Sequence, residues 1–486
     1  MRKVGILIGA LAVLALWGVA FADVPEPPAA EAPAPAAAAP AEAPPPAAAP
    51  DAELKAALEK TQAALGTALR RIDELEAKVG TLGGQVGSAS KDVSSISTQM
   101  RQLEEKAKQP APAAPVVFKP YGYIKVDMVY DSTRTAGTDC TAFVLPEKPG
   151  FANDQHFSIT VRQTRLGVNI AGPDLDSGKT MGKVEIDFYA PASIENKPEL
   201  MLRQAFWQAT FDDWNVLVGQ TWEVVSPLFP NTLNYSYLAL SGNPGYRKPM
   251  VRYERTDKVL GDKTLQTDVA LVRGIGASVR SASSLDDQSS DAAWPNFQAR
   301  LGMTFPTAGG APVVVGLSGH VGQDEYDPAA GTARGNQYAT YMGNVDFKFP
   351  VVKKVDVVGE VWRGRNLNGY MGGIGQGVND PTTQSAATIG SALNKGIDAW
   401  GGWTQVCYKP TDKWFMSVGL AIDDPENGDL SGSINRARNA TYFTNALYNL
   451  NKQATVGVEV SYQQTNYIGT ADGENLRVQG ALQFNF

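Results

Sequence analysis

Charged side chains recur in this sequence at alternate positions of otherwise apolar stretches. Lys125 and Asp127 interleave with Ile124, Val126, Met128 and Tyr130, and Lys183, Glu185 and Asp187 with Val184, Ile186 and Phe188. Successive side chains of a β-strand point to opposite faces, so each stretch presents one apolar and one ionic face. The same parity puts Arg203, Arg252, Glu254 and Arg300 on the ionic face, with Glu223 just past the end of a strand. Ionic side chains around a narrow aqueous passage select solutes by charge. The plainer alternative is that Arg203, Arg252 and their neighbours pair with Glu185, Asp187 and Glu254 and stiffen a wall.

Other chemistry finds little support. Hydrolytic nucleophiles usually rely on an adjacent base, most often histidine. Only His156 and His320 are present, neither in a serine-hydrolase setting, and both read as surface residues. No metal-ligand spacing or phosphate-cradling glycine loop stands out, so no enzyme, metal or cofactor is expected. Two cysteines, Cys140 in a long loop and Cys407 near a strand end, do not make a disulfide scaffold, and no bond between them is expected.

The elements that must position the ionic residues are strands. Period-two patterning runs from residue 117 to 486 and predicts about sixteen antiparallel strands, at 118–130, 156–170, 180–190, 199–211, 214–222, 249–256, 265–274, 296–305, 312–321, 338–349, 353–363, 396–408, 413–422, 438–450, 454–463 and 475–486. Short turns such as Asp212-Asp213 alternate with long loops, and the last strand ends on Phe486. An apolar outer face, a polar inner face and alternating loop lengths specify an all-β transmembrane barrel of the bacterial outer membrane, in contact with its lipid.

Within 156–170 the parity breaks: Phe157, Ile159 and Val161 share one phase, Leu166, Val168 and Ile170 the other. A β-bulge near Gln163-Thr164 would turn both Arg162 and Arg165 inward. Without it an arginine would face lipid, at about 2–4 kcal/mol near the midplane. The segment from Val224 to Lys248 contains no Asp or Glu and is rich in Tyr and Pro, so it is expected to fold into the lumen and narrow it. Tyr130, Trp222, Trp414 and Tyr448 read as interfacial belt residues.

Upstream, residues 1–22 read as a signal peptide: Arg2 and Lys3, an apolar run, then Ala20-Phe21-Ala22. Export removes two of the 43 basic residues and leaves 50 acidic ones, a net charge of −9, which argues against a nucleic-acid partner. Residues 23–50 form a Pro/Ala arm too poor in apolar side chains to fold, a possible contact for peptidoglycan. Over 51–106 a heptad register predicts an α-helical coiled coil, with Leu58, Leu65, Ile72, Val79, Val86, Val93 and Met100 on one seam position and Leu75, Leu82, Ile96 and Leu103 on the other. Gly80, Gly83, Gly84 and Gly87 lie in this helix, each costing about 1 kcal/mol relative to Ala. A second linker, 107–116, precedes the barrel.

The segments Arg162-Gln-Thr-Arg165-Leu-Gly, Lys183-Val-Glu-Ile-Asp-Phe-Tyr189, Leu202-Arg-Gln-Ala-Phe206 and Val218-Gly-Gln-Thr-Trp222 resemble those of the DcaP-like porins, within the general bacterial porin superfamily. The resemblance is firmest from 120 to 255. It implies a homotrimer of sixteen-stranded barrels behind a periplasmic coiled coil, passing small anionic solutes such as dicarboxylates, and it assigns the pore-lining role to Arg162, Arg165 and Arg203. A structural tether joining the outer membrane to the envelope through its coiled coil is the competing expectation.

Overall fold

The computed structural model describes residues 116–486 except 138, 148–153, 191–196, 275–293, 308–309, 327–335, 379–395 and 431–434, together with part of 58–101. The signal peptide, the Pro/Ala arm and residues 107–115 of the second linker lie outside the described residues. The chain divides into two units, Met1–Ala114 and Pro115–Phe486. In the first, every described residue between Leu58 and Arg101 is helical, Gly80, Gly83, Gly84 and Gly87 included. The described seam residues Leu58, Leu75 and Met100 are exposed. Leu65, Ile72, Val79, Leu82, Val86, Val93, Ile96 and Leu103 lie outside the described residues.

The second unit is one antiparallel sheet closed on itself: β1 (Val117–Asp131), β2 (His156–Thr160), β3 (Arg165–Ala171), β4 (Lys179–Asp187), β5 (Met201–Thr210), β6 (Trp214–Trp222), β7 (Arg247–Val259), β8 (Lys263–Val272), β9 (Asn296–Phe305), β10 (Val313–Tyr326), β11 (Asn336–Val352), β12 (Val355–Arg365), β13 (Asp398–Tyr408), β14 (Trp414–Pro425), β15 (Asn435–Asn449), β16 (Ala454–Ile468) and β17 (Gly473–Asn485). Each strand pairs with its chain neighbour, and β17 returns to β1, with Tyr123 opposite Asn485 and Asp131 opposite Arg477. β2 and β3 both pair with β1 and are halves of one staple of the wall, so the barrel has sixteen strand positions.

The interruption between β2 and β3 is the expected bulge. Asp127 pairs with Thr160 and Tyr123 with Arg165, so five residue steps on one strand face four on the other. Phe157 and Ile159 before it are 63% and 56% exposed on the outer face, and Leu166 after it is 40% exposed on the same face. The extra residue therefore restores the apolar phase and turns Arg162 and Arg165 inward. A second register shift lies opposite Glu185 and Ile186, which pair with Gln204 and Leu202. It leaves Arg203 and Gln204 both buried on the inner face, and the Gln220 side chain donates to the carbonyls of Leu202 and Arg203 there.

Outward positions carry Ile124, Met128, Val251, Leu271, Leu317, Val361, Val418 and Leu482, all well exposed, while the inner face buries Asp127, Glu185, Arg300, Asp346, Glu360, Glu459 and Arg477. A soluble protein buries its apolar face. A closed sheet with the opposite arrangement satisfies its backbone hydrogen bonds and matches a hydrocarbon surround.

Candidate pore constriction

The expected ionic residues all face the lumen, and the structure ties most of them in pairs. Lys125 Nζ lies 3.1 Å from Asp127 and donates to Gln163 Oε1 at 2.5 Å. Arg162 Nη1 meets Asp139 at 2.9 Å, with its guanidinium 4.3 Å above the Tyr189 ring. Glu185 collects Arg165 at 3.8 Å, Lys183 at 3.9 Å and Arg203 at 2.8 Å. Arg203 also reaches Asp187. Lys248 Nζ stands 3.6 Å from Glu223, Arg252 2.8 Å from Glu254, and Arg300 2.7 Å from Asp346. The wall-stiffening reading is thus what the geometry of these residues displays, since an ion paired at close range projects little net field into the lumen.

Across this wall lies the segment 223–246, folded inward as its composition predicts. Leu228 N–H donates to Glu360 Oε1 at 2.8 Å, and the Ser226 hydroxyl donates to the other oxygen of the same carboxylate. Thr232 Oγ1 and Leu233 N–H each donate to Glu459 at 2.7 Å. Trp362 Nε1–H donates to Gly242 O, and Trp403 Nε1–H to Asn243 Oδ1. On the opposite side Lys125 Nζ donates to Leu233 O, and the Tyr235 hydroxyl accepts from Arg203 and donates to Asp187. Burial pushes the Tyr235 phenol well above its ordinary pKa, which keeps it a donor. Tyr237, Leu238 and Leu240 hold left-handed backbone (φ 49, 62 and 59). Such strain persists only where the surroundings over-determine it, here the bonds from wall to wall.

Two further segments join it. Residues 139–147 reach β16 through Thr141 to Gln463 and Val144 N–H to Thr465. Residues 366–378 reach β14 through Ile374 N–H to Asp423, and Gly245 N–H donates to Tyr370 O at 2.6 Å.

Between the inward loop and the basic wall remains a cavity of about 180 Å³. Its lining includes Arg203, Arg247, Trp222, Phe229 and Tyr237, and contains no Asp or Glu. Arg203 is neutralised as described. Arg247 is not: it is 4% exposed, its Nε and Nη1 have no hydrogen-bond partner, and no acidic group among the described residues pairs with it. Its guanidinium lies over Tyr246 at 4.5 Å and Trp222 at 5.0 Å. Those rings hold it flat, with Nε and Nη1 buried and unpaired.

The barrel matches that of the outer-membrane channel DcaP of Acinetobacter baumannii, with a TM-score of 0.59 and 19% identity over 77% of this chain and 99% of that chain. The chain has a DcaP-like barrel fold. Two solved structures match at TM-scores of 0.48 and 10% identity: an anion-selective porin from Comamonas acidovorans, over 76% of this chain and 100% of that one, and OprB of Pseudomonas putida at high pH, over 76% and 94%. No family model matches the sequence, and no curated protein matches it.

Two sequence expectations need correcting within this DcaP-like barrel. Trp222 is not a belt residue: as the last residue of β6 it sits where the chain turns inward, lines the cavity and packs edge-on against Phe229. His320 is not a surface residue, because β10 continues to Tyr326; it is 3% exposed and stacks on Tyr370 at 3.7 Å. Arg247 escaped the sequence reading because it falls in the Tyr/Pro-rich stretch taken as loop, two residues before the expected start of that strand. Cys140 and Cys407 are both free, as expected.

Proposed function

We propose that this chain is a passive outer-membrane channel favouring small anionic solutes, with the cavity beside Arg247 as its selective point. The observation that carries this reading is a lumenal lining that holds one uncompensated guanidinium and no carboxylate. An anion entering there meets the field of a pre-oriented guanidinium with no counter-ion, whereas a cation meets none of the acidic residues, which are engaged elsewhere. A carboxylate fits the planar fork of a guanidinium in bidentate fashion, which agrees with the dicarboxylates implied by the family resemblance. Arg162, Arg165 and Arg203 then act chiefly as the rigid frame of the passage.

The exposed seam residues Leu58, Leu75 and Met100 support a coiled coil between copies of the chain, and a homotrimer is the assembly we assign to it. Its place in the periplasm, and any contact of the Pro/Ala arm with peptidoglycan, belong to the same proposal. Conductance of the purified protein in a planar bilayer tests the function: stepwise openings with a reversal potential favouring chloride support it. A tightly inserted but silent protein would support the tether instead.

A further inference from the structure

The cavity beside Arg247 offers a solute rings as well as a charge. Trp222, Phe229, Tyr235, Tyr237 and Tyr246 all line it. Some aromatic pairs in the lumen close face to face: Tyr189 on Tyr235 at 3.9 Å and His320 on Tyr370 at 3.7 Å, which leaves no room between them. Around the cavity the rings meet by their edges instead. Trp222 stands at 61° to Phe229 and 77° to Tyr246, with centroids 4.5 and 6.4 Å apart, and Phe229 stands at 73° to Tyr237 at 6.2 Å. Edge-on packing keeps ring faces available to a further ring. Phe229 is 37% exposed inside the barrel, where a solvated lumen gives a large apolar side chain no reason to be.

The polar groups of the lining are largely spent. The Tyr237 hydroxyl accepts from Gln163, the Tyr235 hydroxyl donates to Asp187, and the Tyr246 hydroxyl donates to Met201 Sδ. Asn243 donates to Tyr237 O and accepts from Trp403. Arg203 is held by Glu185 and Asp187. What remains for a solute is the Arg247 guanidinium, with the neutral Ser236 hydroxyl and Cys140 thiol. Since Nε and Nη1 of Arg247 are buried, Nη2 is the nitrogen left to meet a ligand. A sugar, whose hydroxyls each need a partner, is poorly served here. A second carboxylate would lose water with no free cation to replace it. The cavity of about 180 Å³ suits one ring and its carboxylate, since a dry apolar cavity of about 150 Å³ takes benzene.

We propose that this cavity binds aromatic monocarboxylates, the carboxylate facing Arg247 and the ring lying among Trp222, Phe229 and Tyr237. The proposal rests on the anion reading of Arg247 and adds the ring to it. Aliphatic dicarboxylates still pass but are held less well, because they bring no ring and carry a surplus charge. An aromatic dicarboxylate keeps the ring and carries the same surplus charge.

Block of the chloride current through the full-length protein in planar bilayers at neutral pH tests this, with benzoate, cyclohexanecarboxylate, terephthalate and succinate added in turn. Benzoate should half-block at a concentration about tenfold or more below that of succinate, that is by about 1.4 kcal/mol or more. It should also act several-fold below cyclohexanecarboxylate, which lacks the flat faces, and terephthalate, which has the second charge. Phe229→Leu keeps an apolar side chain and loses the ring; it should raise the half-blocking concentration of benzoate about tenfold and that of succinate little. Where that variant fails to insert, Trp222→Leu gives the same comparison. Calorimetric titration of the protein in detergent should rank the acids in the same order, and reads them even in a protein silent in bilayers. Succinate, terephthalate or cyclohexanecarboxylate binding as tightly as benzoate would overturn the proposal, and chloride preference in the same membranes would then leave the anion reading standing. Cation preference with no benzoate binding would overturn both.

Discussion

The two sides of the lumen carry similar ionic residues, yet the inward loop treats them differently. On the side of β12 and β16 it gives backbone N–H groups and hydroxyls to Glu360 and Glu459, so those carboxylates are consumed as anchors. On the side of β5 and β7 it presents aromatic rings, bonds the wall through the Tyr235 hydroxyl at Arg203 and Asp187, and leaves the cavity that Arg247 lines. Acidic groups are thereby withdrawn from the passage while one basic group stays available. In the proposed function, selectivity follows from which charges the loop leaves unpaired, more than from how many charges of each sign line the wall.

Substitutions on either side can break that comparison. Arg203→Gln should have the largest effect on stability, about 3–5 kcal/mol, because it leaves Glu185 and Asp187 buried without their shared partner; denaturation of the folded barrel checks it. Glu360→Ala removes the acceptor for Ser226 and Leu228 and should cost about 1–3 kcal/mol, with larger and noisier single-channel conductance as the loop loosens. Arg247→Gln should leave stability nearly unchanged, since no partner is stranded, yet reduce anion preference by an amount on the order of 1 kcal/mol, a several-fold change in permeability ratio. Trp222→Leu should do the same more weakly, by freeing the guanidinium from one of its two rings; ion selectivity measured in bilayers reads both.

The wall was largely legible in the sequence. Sixteen alternating stretches fall on the sixteen strand positions because lipid on one side and water on the other enforce period two at nearly every step. The bulge at Gln163-Thr164 was legible for the same reason: Ile159 and Leu166 must both face lipid. The second bulge, at Arg203, was not, because Phe206 and Trp207 are adjacent and blur the phase. Cross-strand register is absent from a single sequence, so the pairing of Arg203 with Glu185 and Asp187 stood there only as one of two alternatives. Nor could the isolation of Arg247, which depends on where a loop of more than twenty residues comes to rest. His320 was misplaced because Gly322, Gln323, Asp324 and Glu325 read as a turn, whereas a strand whose inner face meets water tolerates them.

The decisive measurement is the reversal potential under a salt gradient, recorded in the same bilayer for the wild type, Arg247→Gln and the double variant Arg203→Gln/Asp187→Asn, which removes a bonded pair and leaves the net charge of the wall unchanged. Chloride preference is expected in the wild type, markedly reduced in Arg247→Gln and nearly retained in the double variant. Cation preference in the wild type, or a selectivity lost in the double variant and kept in Arg247→Gln, would contradict the assignment of selectivity to Arg247.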